Sequence, residues 1–310
     1  MSMAWLFGLT IAFLVTGTFA GQVLKRTVHS DAAQAAVANM NLRIGAWWAL
    51  CTLLGIALAL GDAAIIGLFA LFSFLALREF ITLTPTNRGD HRSLFWSFFV
   101  FTPLQYFLLW IQWYGMFSIL IPVYAFLYVP TRTAIAGDSE HFLERTAQIH
   151  WGLMISTYCL SHAPALLMLN IPGYAGQNAK LLFYFLLVVQ LSDVLQYVCG
   201  KLWGKTPITP RISPNKTWEG FLGGVTFATA IGTALYRATP FLPWQAAAMC
   251  LVITLMGFAG GLTMSAIKRD HGVKDFGTII VGHGGVLDRI DSLCFSAPIF
   301  FHLTRYFFAA

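Results

Sequence analysis

Charge is what this sequence has least of: 10% of its 310 residues are Asp, Glu, Lys or Arg, against 57% that are hydrophobic. A water-facing globular surface needs about 25% charged residues, so a soluble globular fold of ordinary polarity is excluded. Cysteine is also scarce. The five, Cys51, Cys159, Cys199, Cys250 and Cys294, lie in or beside apolar runs with no CxxC pair. That spacing argues against a zinc site or a redox dithiol and leaves small buried apolar side chains. No charged side chain precedes Lys25, so the first apolar stretch lacks the basic n-region of a secretory signal and reads as a retained helix with the N-terminus outside. The net charge of +6 is scattered over several loops. No nucleic-acid face is gathered, and a membrane-surface or phosphate-binding role fits better.

What is present is apolar length, rich in Phe (27) and Trp (10). The runs predict an all-α, polytopic transmembrane bundle of about ten spans, near 3–24, 44–60, 63–77, 94–110, 115–130, 151–170, 180–199, 218–236, 246–264 and 291–308. Those near 63–77 and 115–130 are short for a bilayer and are expected to extend into flanking polar residues. Gly61-Asp62 and Gln112 to Gly115 read as hairpin turns. The loops after spans 1, 3, 5, 7 and 9 hold sixteen of the nineteen Lys and Arg residues, leaving Lys180, Arg237 and Arg305 on the other side. The positive-inside rule then makes those five loops cytoplasmic and both termini external, as in a bacterial inner-membrane protein. Residues 1–175 read as an N-terminal transmembrane region of about six spans, and 176–310 as a C-terminal region with two polar cytoplasmic loops. Any chemistry is expected in the second region.

The later loop runs from Lys268-Arg269 through Lys274-Asp275 to Gly282-His283-Gly284-Gly285 and Asp288-Arg289-Ile290-Asp291. Lys268, Arg269 and Lys274 suit phosphate oxygens, and glycines let backbone N–H groups approach a phosphate closely. Asp288 and Asp291, three apart, share a helix face, a pairing of hard carboxylates that suits Mg²⁺ held together with substrate phosphates. The earlier loop adds Lys201, Lys205, Arg211 and Lys216 and a proline-stiffened Ser213-Pro214-Asn215-Lys216-Thr217 entry to span 8. Asp193 lies inside span 7 on one face with Gln190 and Tyr197. An intramembrane carboxylate marks a functional candidate, with a helix–helix hydrogen bond as the alternative.

Taken together, the pattern KRxxxxKDxGxxxxxHGGxLDRxD over Lys268–Asp291 resembles the signature of the integral-membrane phosphatidate cytidylyltransferases. The stretch Ser192-Asp193, Gly200-Lys201, Gly204-Lys205, Ile212 to Gly220 and Gly223-Gly224 is similar to that family's second conserved region, in the same order. The resemblance covers roughly residues 180–308 by motif and the rest by hydropathy. It implies transfer of CMP from CTP to phosphatidate, giving CDP-diacylglycerol and pyrophosphate, with Mg²⁺ or another divalent metal as cofactor. It further implies Asp288 as principal metal ligand, with Asp291 and Asp193 beside it, and Asp288, Asp193, Lys268 and Arg269 as the catalytic set. Lys205, Ser213, Asn215, Lys216, Lys274, His283, Gly284, Gly285 and Arg289 are the implied substrate-binding residues. Partners would be CTP, phosphatidate or a similar phospholipid, membrane lipids, and a second copy of the chain as a homodimer. Where the family typically carries Asp and Glu ahead of Ser-x-x-Lys-Arg, this chain has Gly261 and Met264, and Val281 stands where Pro is common.

Three other readings compete. A weak or silent paralogue is suggested by Gly261 and Met264. A CTP-dependent lipid-alcohol kinase would need a general base near the lipid hydroxyl, and none is nominated. A transporter should place polar residues at mid-membrane in both halves, whereas the sequence places them in spans 7–10.

Overall fold

The computed structural model describes residues 2–27, 30–279 and 284–310. Among these, ten helical rods follow one another. They are α1 (Met3–Thr27), α2 (Asp31–Leu60), α3 (Asp62–Leu83), α4 (Arg88–Trp110), α5 (Tyr114–Ile135), α6 (142–168), α7 (Asn178–Trp203), α8 (Trp218–Ala234), α9 (Pro243–Asp270) and α10 (Leu287–Phe308). Seven, α1 to α5, α7 and α9, are long and apolar enough to cross a bilayer by length and composition. The other three coincide with expected spans but are shorter, as α8 is with 17 residues, or carry charges in their first turns, as α6 and α10 do.

The turns form where the backbone can reverse. Gly61, at φ +97°, separates α2 from α3, and Gln112, at φ 57°, separates α4 from α5. A reciprocal Asn87–Asp90 cap starts α4 six residues ahead of its apolar run. α3 and α5 extend past their hydrophobic cores as expected, to Leu83 and Ile135. Two extensions carry candidate site residues. α9 continues to Asp270, which puts Lys268 and Arg269 on its last turn, where cations complement the negative end of the helix dipole. α10 begins at Leu287, which puts Asp288 in its first turn.

An all-α reading omits one feature. Between α7 and α8, Pro207–Thr209 (β1) and Ser213–Thr217 (β2) form a two-stranded antiparallel hairpin. Such a pair is marginal alone and persists here because both strands are tethered to helices.

The last four helices pack in sequence, α7 on α8, α8 on α9 and α9 on α10, while α10 also contacts α3 and α6. α7 and α8 approach closely through small residues, the usual currency of helix association in lipid. A Cβ on Gly220 would lie 2.8 Å from the Gly200 Cα. The core centres on Tyr184, Phe185, Phe300 and Phe301, with Phe185 and Phe300 stacked at 4.8 Å.

Polar residues are not confined to the later spans. Ser93 meets Thr133 at 2.9 Å, Thr102 meets Thr157 at 3.1 Å, and Gln105 donates to Ser161 at 3.2 Å, all buried. These groups satisfy one another across helices, so they act as packing contacts between α4, α5 and α6. The sequence missed them because single Ser and Thr residues barely lower the hydropathy of a run.

Candidate functional site: the junction of the hairpin with α7, α9 and α10

The hairpin is built by its own motif. Thr217 caps α8 by accepting the Gly220 N–H at 3.2 Å. Glu219 accepts the N–H groups of Lys205 (3.0 Å) and Thr206 (3.1 Å) and the Thr206 hydroxyl (2.9 Å). Arg269, at the end of α9, donates from Nε to the Ile212 carbonyl at 3.2 Å and from Nη1 to the Val273 carbonyl at 2.9 Å. These ties deliver Lys216, on β2, to the faces of α7, α9 and α10.

There Asp193 and Asp291 meet. The Ser292 hydroxyl donates to Asp193 Oδ1 at 3.0 Å and lies 3.3 Å from Asp291 Oδ1, which also accepts the Ser292 N–H at 2.7 Å. Burial pushes the Lys216 ammonium below the usual lysine range, while Asp291 and Asp193 pull it back up. The Phe258 ring lies 5.1 Å from Lys216 Nζ. A Cβ at Gly261 would stand 2.9 Å from that same nitrogen, 3.6 Å from Ser292 Oγ and 4.0 Å from Asp291 Oδ2. The position where the resemblance leads one to expect a carboxylate therefore opens directly onto this cluster. Met264 is fully buried.

Asp288 lies one turn away and is differently engaged. Its Oδ1 pairs with Lys268 Nζ at 2.8 Å, and its Oδ2 accepts the N–H groups of Phe276 (2.8 Å) and Gly285 (2.9 Å). Both carboxylate oxygens are thus taken by the protein. The Val286 and Leu287 N–H groups go to Glu79 of α3, at 2.9 and 2.8 Å. Gly284 sits at φ +79°, a left-handed conformation that favours glycine.

The structure brings together Asp193, Asp291, Lys216, Lys268, Arg269 and Asp288 around this junction. Lys205, Asn215 and Lys274 are exposed and Ser213 is half-buried at its rim. Arg289 instead faces, with Gln190, an otherwise apolar cavity of about 290 Å³ between α1, α2, α3, α7 and α10. Gly282 and His283 lie outside the described residues. Reading by motif missed Ser292, which looks like an ordinary hydroxyl, and Glu79, which lies in the half without motifs. No sequence signal marked Glu79, because it follows Arg78 just past the apolar run near 63–77, where charged flanks are ordinary.

The donor set bears on a cation. Among the described residues no group of three or more His, Cys, Asp or Glu gathers at ligand spacing. Asp193 and Asp291 offer two half-buried hard carboxylates at one point, a set suited to a hard cation completed by water and substrate phosphates.

Comparison with known proteins places the chain in a family. The profile described as Cytidylyltransferase family matches residues 41–307. The chain is 40% identical over 272 residues to the uncharacterized protein YnbB of Escherichia coli K12, covering 86% of this chain and 88% of that one. It is 42% identical over 130 residues to a phosphatidate cytidylyltransferase of Mycobacterium leprae, 41% of each chain. It is 39% identical over 147 residues to one from Aquifex aeolicus, 47% of this chain and 55% of the other. The chain thus spans about half the length of these two named enzymes. It belongs to the cytidylyltransferase family.

Proposed function

We propose that this member of the cytidylyltransferase family transfers CMP from CTP to phosphatidate, releasing pyrophosphate, at the junction of the β-hairpin with α7, α9 and α10. The observation that carries the reading is the convergence of Lys216, Asp193 and the Asp291-Ser292 pair from three separate segments, β2, α7 and α10, beside the Lys268–Asp288 pair. An anionic phosphate oxygen of the lipid attacks the α-phosphorus of CTP, a new P–O bond forms, and the bond to the β-phosphate oxygen breaks. An ionised phosphate needs no general base, so the chain's contribution is positioning and charge neutralisation.

In this scheme Lys216 meets the developing negative charge, held half-buried by Thr217 and the hairpin. Lys205 and Lys274, exposed at the rim, receive the triphosphate from water, with Ser213 and Asn215 as further donors. Arg269 acts mainly by holding the hairpin and the following loop in place. Asp193 and Asp291 would hold a divalent cation, which supplies charge neutralisation on the substrate phosphates. Asp288, committed to Lys268 and two backbone amides, organises the loop rather than binding that cation directly. The apolar cavity with Arg289 and Gln190 at its edge suits an acyl chain and its anionic head. The site opens to the cytoplasm, where CTP is found, with both termini outside.

The test is formation of CDP-lipid and pyrophosphate by purified protein given phosphatidate, CTP and Mg²⁺. Product from wild type with at least about 100-fold loss in Asp291→Asn or Lys216→Met is expected, the scale on which removal of a transition-state charge partner acts. No product under any divalent metal would sink the transferase reading. It would favour a silent paralogue, the alternative suggested by Gly261 and Met264.

A further inference from the structure

α3 belongs to the half of the chain without recognisable motifs, yet Glu79 reaches the segment that precedes Asp288. Glu79 is 4% exposed. Its Oε1 accepts the Val286 N–H at 2.9 Å and its Oε2 the Leu287 N–H at 2.8 Å. The adjoining Gly285 N–H goes to Asp288 at 2.9 Å. The first amides of α10 are therefore shared between two carboxylates of the protein itself. Helix N-termini attract anions, and here that capacity is already used at residues 285–287.

The surroundings are shaped to this carboxylate. A Cβ at Gly285 would lie 2.2 Å from Glu79 Oε2, and one at Gly277 would lie 2.8 Å from Oε1. The motif loop is glycine at both of these places where it comes against Glu79. The next residue, Phe80, stacks on Phe276 at 6.2 Å, and the Phe276 N–H is the other amide bound by Asp288. α3 thus holds both flanks of the loop, one through a carboxylate and one through a ring. A carboxylate within an apolar helix is costly, and an apolar side chain would pack there without that cost. Its two oxygens matter because each meets one backbone donor.

We propose that Glu79 is a positioning residue of the transferase site. It sets the start of α10, and through it the placement of Asp288, the Lys268 pair and Asp291 one turn on, without touching substrate. This rests on the transferase reading for its effect on rate, but the structural link is testable without substrate.

The experiment compares wild type with Glu79→Gln, which keeps size but places an amide N–H₂ against a backbone donor. A milder variant, Gly277→Ala, crowds Oε1 from outside the site. Hydrogen exchange on detergent-solubilised protein without ligand should show faster exchange at 285–288 in both variants and unchanged exchange in the hairpin at 207–217. With phosphatidate and CTP, kcat should fall roughly 10- to 100-fold in Glu79→Gln while KM for CTP moves less than about threefold. Asp288→Asn combined with Glu79→Gln should cost little more than the worse single change, because the two act on one loop.

Unchanged exchange at 285–288, a kcat within about twofold of wild type, or independent multiplication of the two losses would overturn the proposal. If Glu79→Gln does not fold, Gly277→Ala decides by the same readouts. If wild type forms no product, the transferase reading fails, and the exchange result alone decides whether Glu79 holds the loop.

Discussion

Two neighbouring glycines on α9 meet different surroundings. A Cβ at Gly260 would stand 2.7 Å from the Asp291 carbonyl oxygen and 2.9 Å from the Phe295 Cβ, neither of which can swing away. A Cβ at Gly261 meets the Lys216 ammonium, the tip of a flexible side chain, at 2.9 Å. Gly260→Ala is therefore expected to lower stability by about 1–3 kcal/mol, the usual cost of overpacking, measured by thermal unfolding in detergent. Gly261→Asp should be accommodated, with the new carboxylate pairing with Lys216 and facing Asp291 and Asp193. It restores a carboxylate to the proposed cation site, so pyrophosphate release should rise relative to wild type. A fall in rate with intact folding would mean that Lys216 must stay where it is. The sequence singled out Gly261 by the family's pattern, but the packing contrast with Gly260 was invisible there.

The connection between α5 and α6 shows the same dependence on partners at the level of elements. Arg145, 3% exposed, pairs with Asp90 through Nε at 3.0 Å and with Asp138 through Nη1 at 3.0 Å. Asp90 is itself fully buried. Removing the guanidinium leaves a buried carboxylate unpaired, so Arg145→Ala should cost about 3–5 kcal/mol in unfolding experiments. Arg145→Lys should not restore it, because one ammonium cannot reproduce a fork that reaches both carboxylates. Asp138 accepts from the Asn87 side chain and the Glu140 N–H, which hold its carboxyl below the usual range, with Arg145 adding to the effect. A depressed folded-state pKa stabilises above the unfolded value and is lost as pH falls through the folded one. Asp138→Asn should therefore lower Tm at neutral pH, and the two Tm curves should converge in acid. Between α7 and α8, the close approach at Gly220 predicts that Gly220→Ala separates the helices and shifts the hairpin they carry. The expected readouts are a lower Tm and a matching loss of activity, since Lys216 travels with that hairpin.

For the molecule as a whole, the asymmetric distribution of Lys and Arg predicts its orientation. Single cysteines at Lys205 and Lys274 should react with membrane-impermeant reagents only from the cytoplasmic side. Cysteines at Lys180 and Arg305 should react only from the other. Labelling of Lys205 and Lys180 from the same side would overturn the ten-span arrangement, because an odd number of crossings separates them.

Much of this architecture was legible because bilayer insertion is written in composition. Runs of apolar residues in 3–24, 180–199 and 246–264 have few other ways to bury themselves. Span ends were less legible: the polar Lys268-Arg269 and Asp288 look like loop, yet they lie on helices whose backbone hydrogen bonds continue past the apolar run. The motif chemistry was legible as residue types at fixed spacing, which is how Asp193, Lys216, Asp288 and Asp291 came to be singled out. Which of them share a point was not, because that depends on the β-hairpin and on Ser292, whose roles arise only after four helices have packed. Glu79 shows the same limit, since its partners lie 207 and 208 residues away. Sequence alone determined that this chain lives in a membrane and belongs with cytidylyl transfer, because hydrophobicity and motif spacing are local properties. Tertiary structure alone decided that Asp288 is spent on Lys268 and the loop, that Lys216 comes within electrostatic reach of both Asp193 and Asp291, and that α3 holds the start of α10. Those are distances between groups far apart in the chain, and only packing sets them.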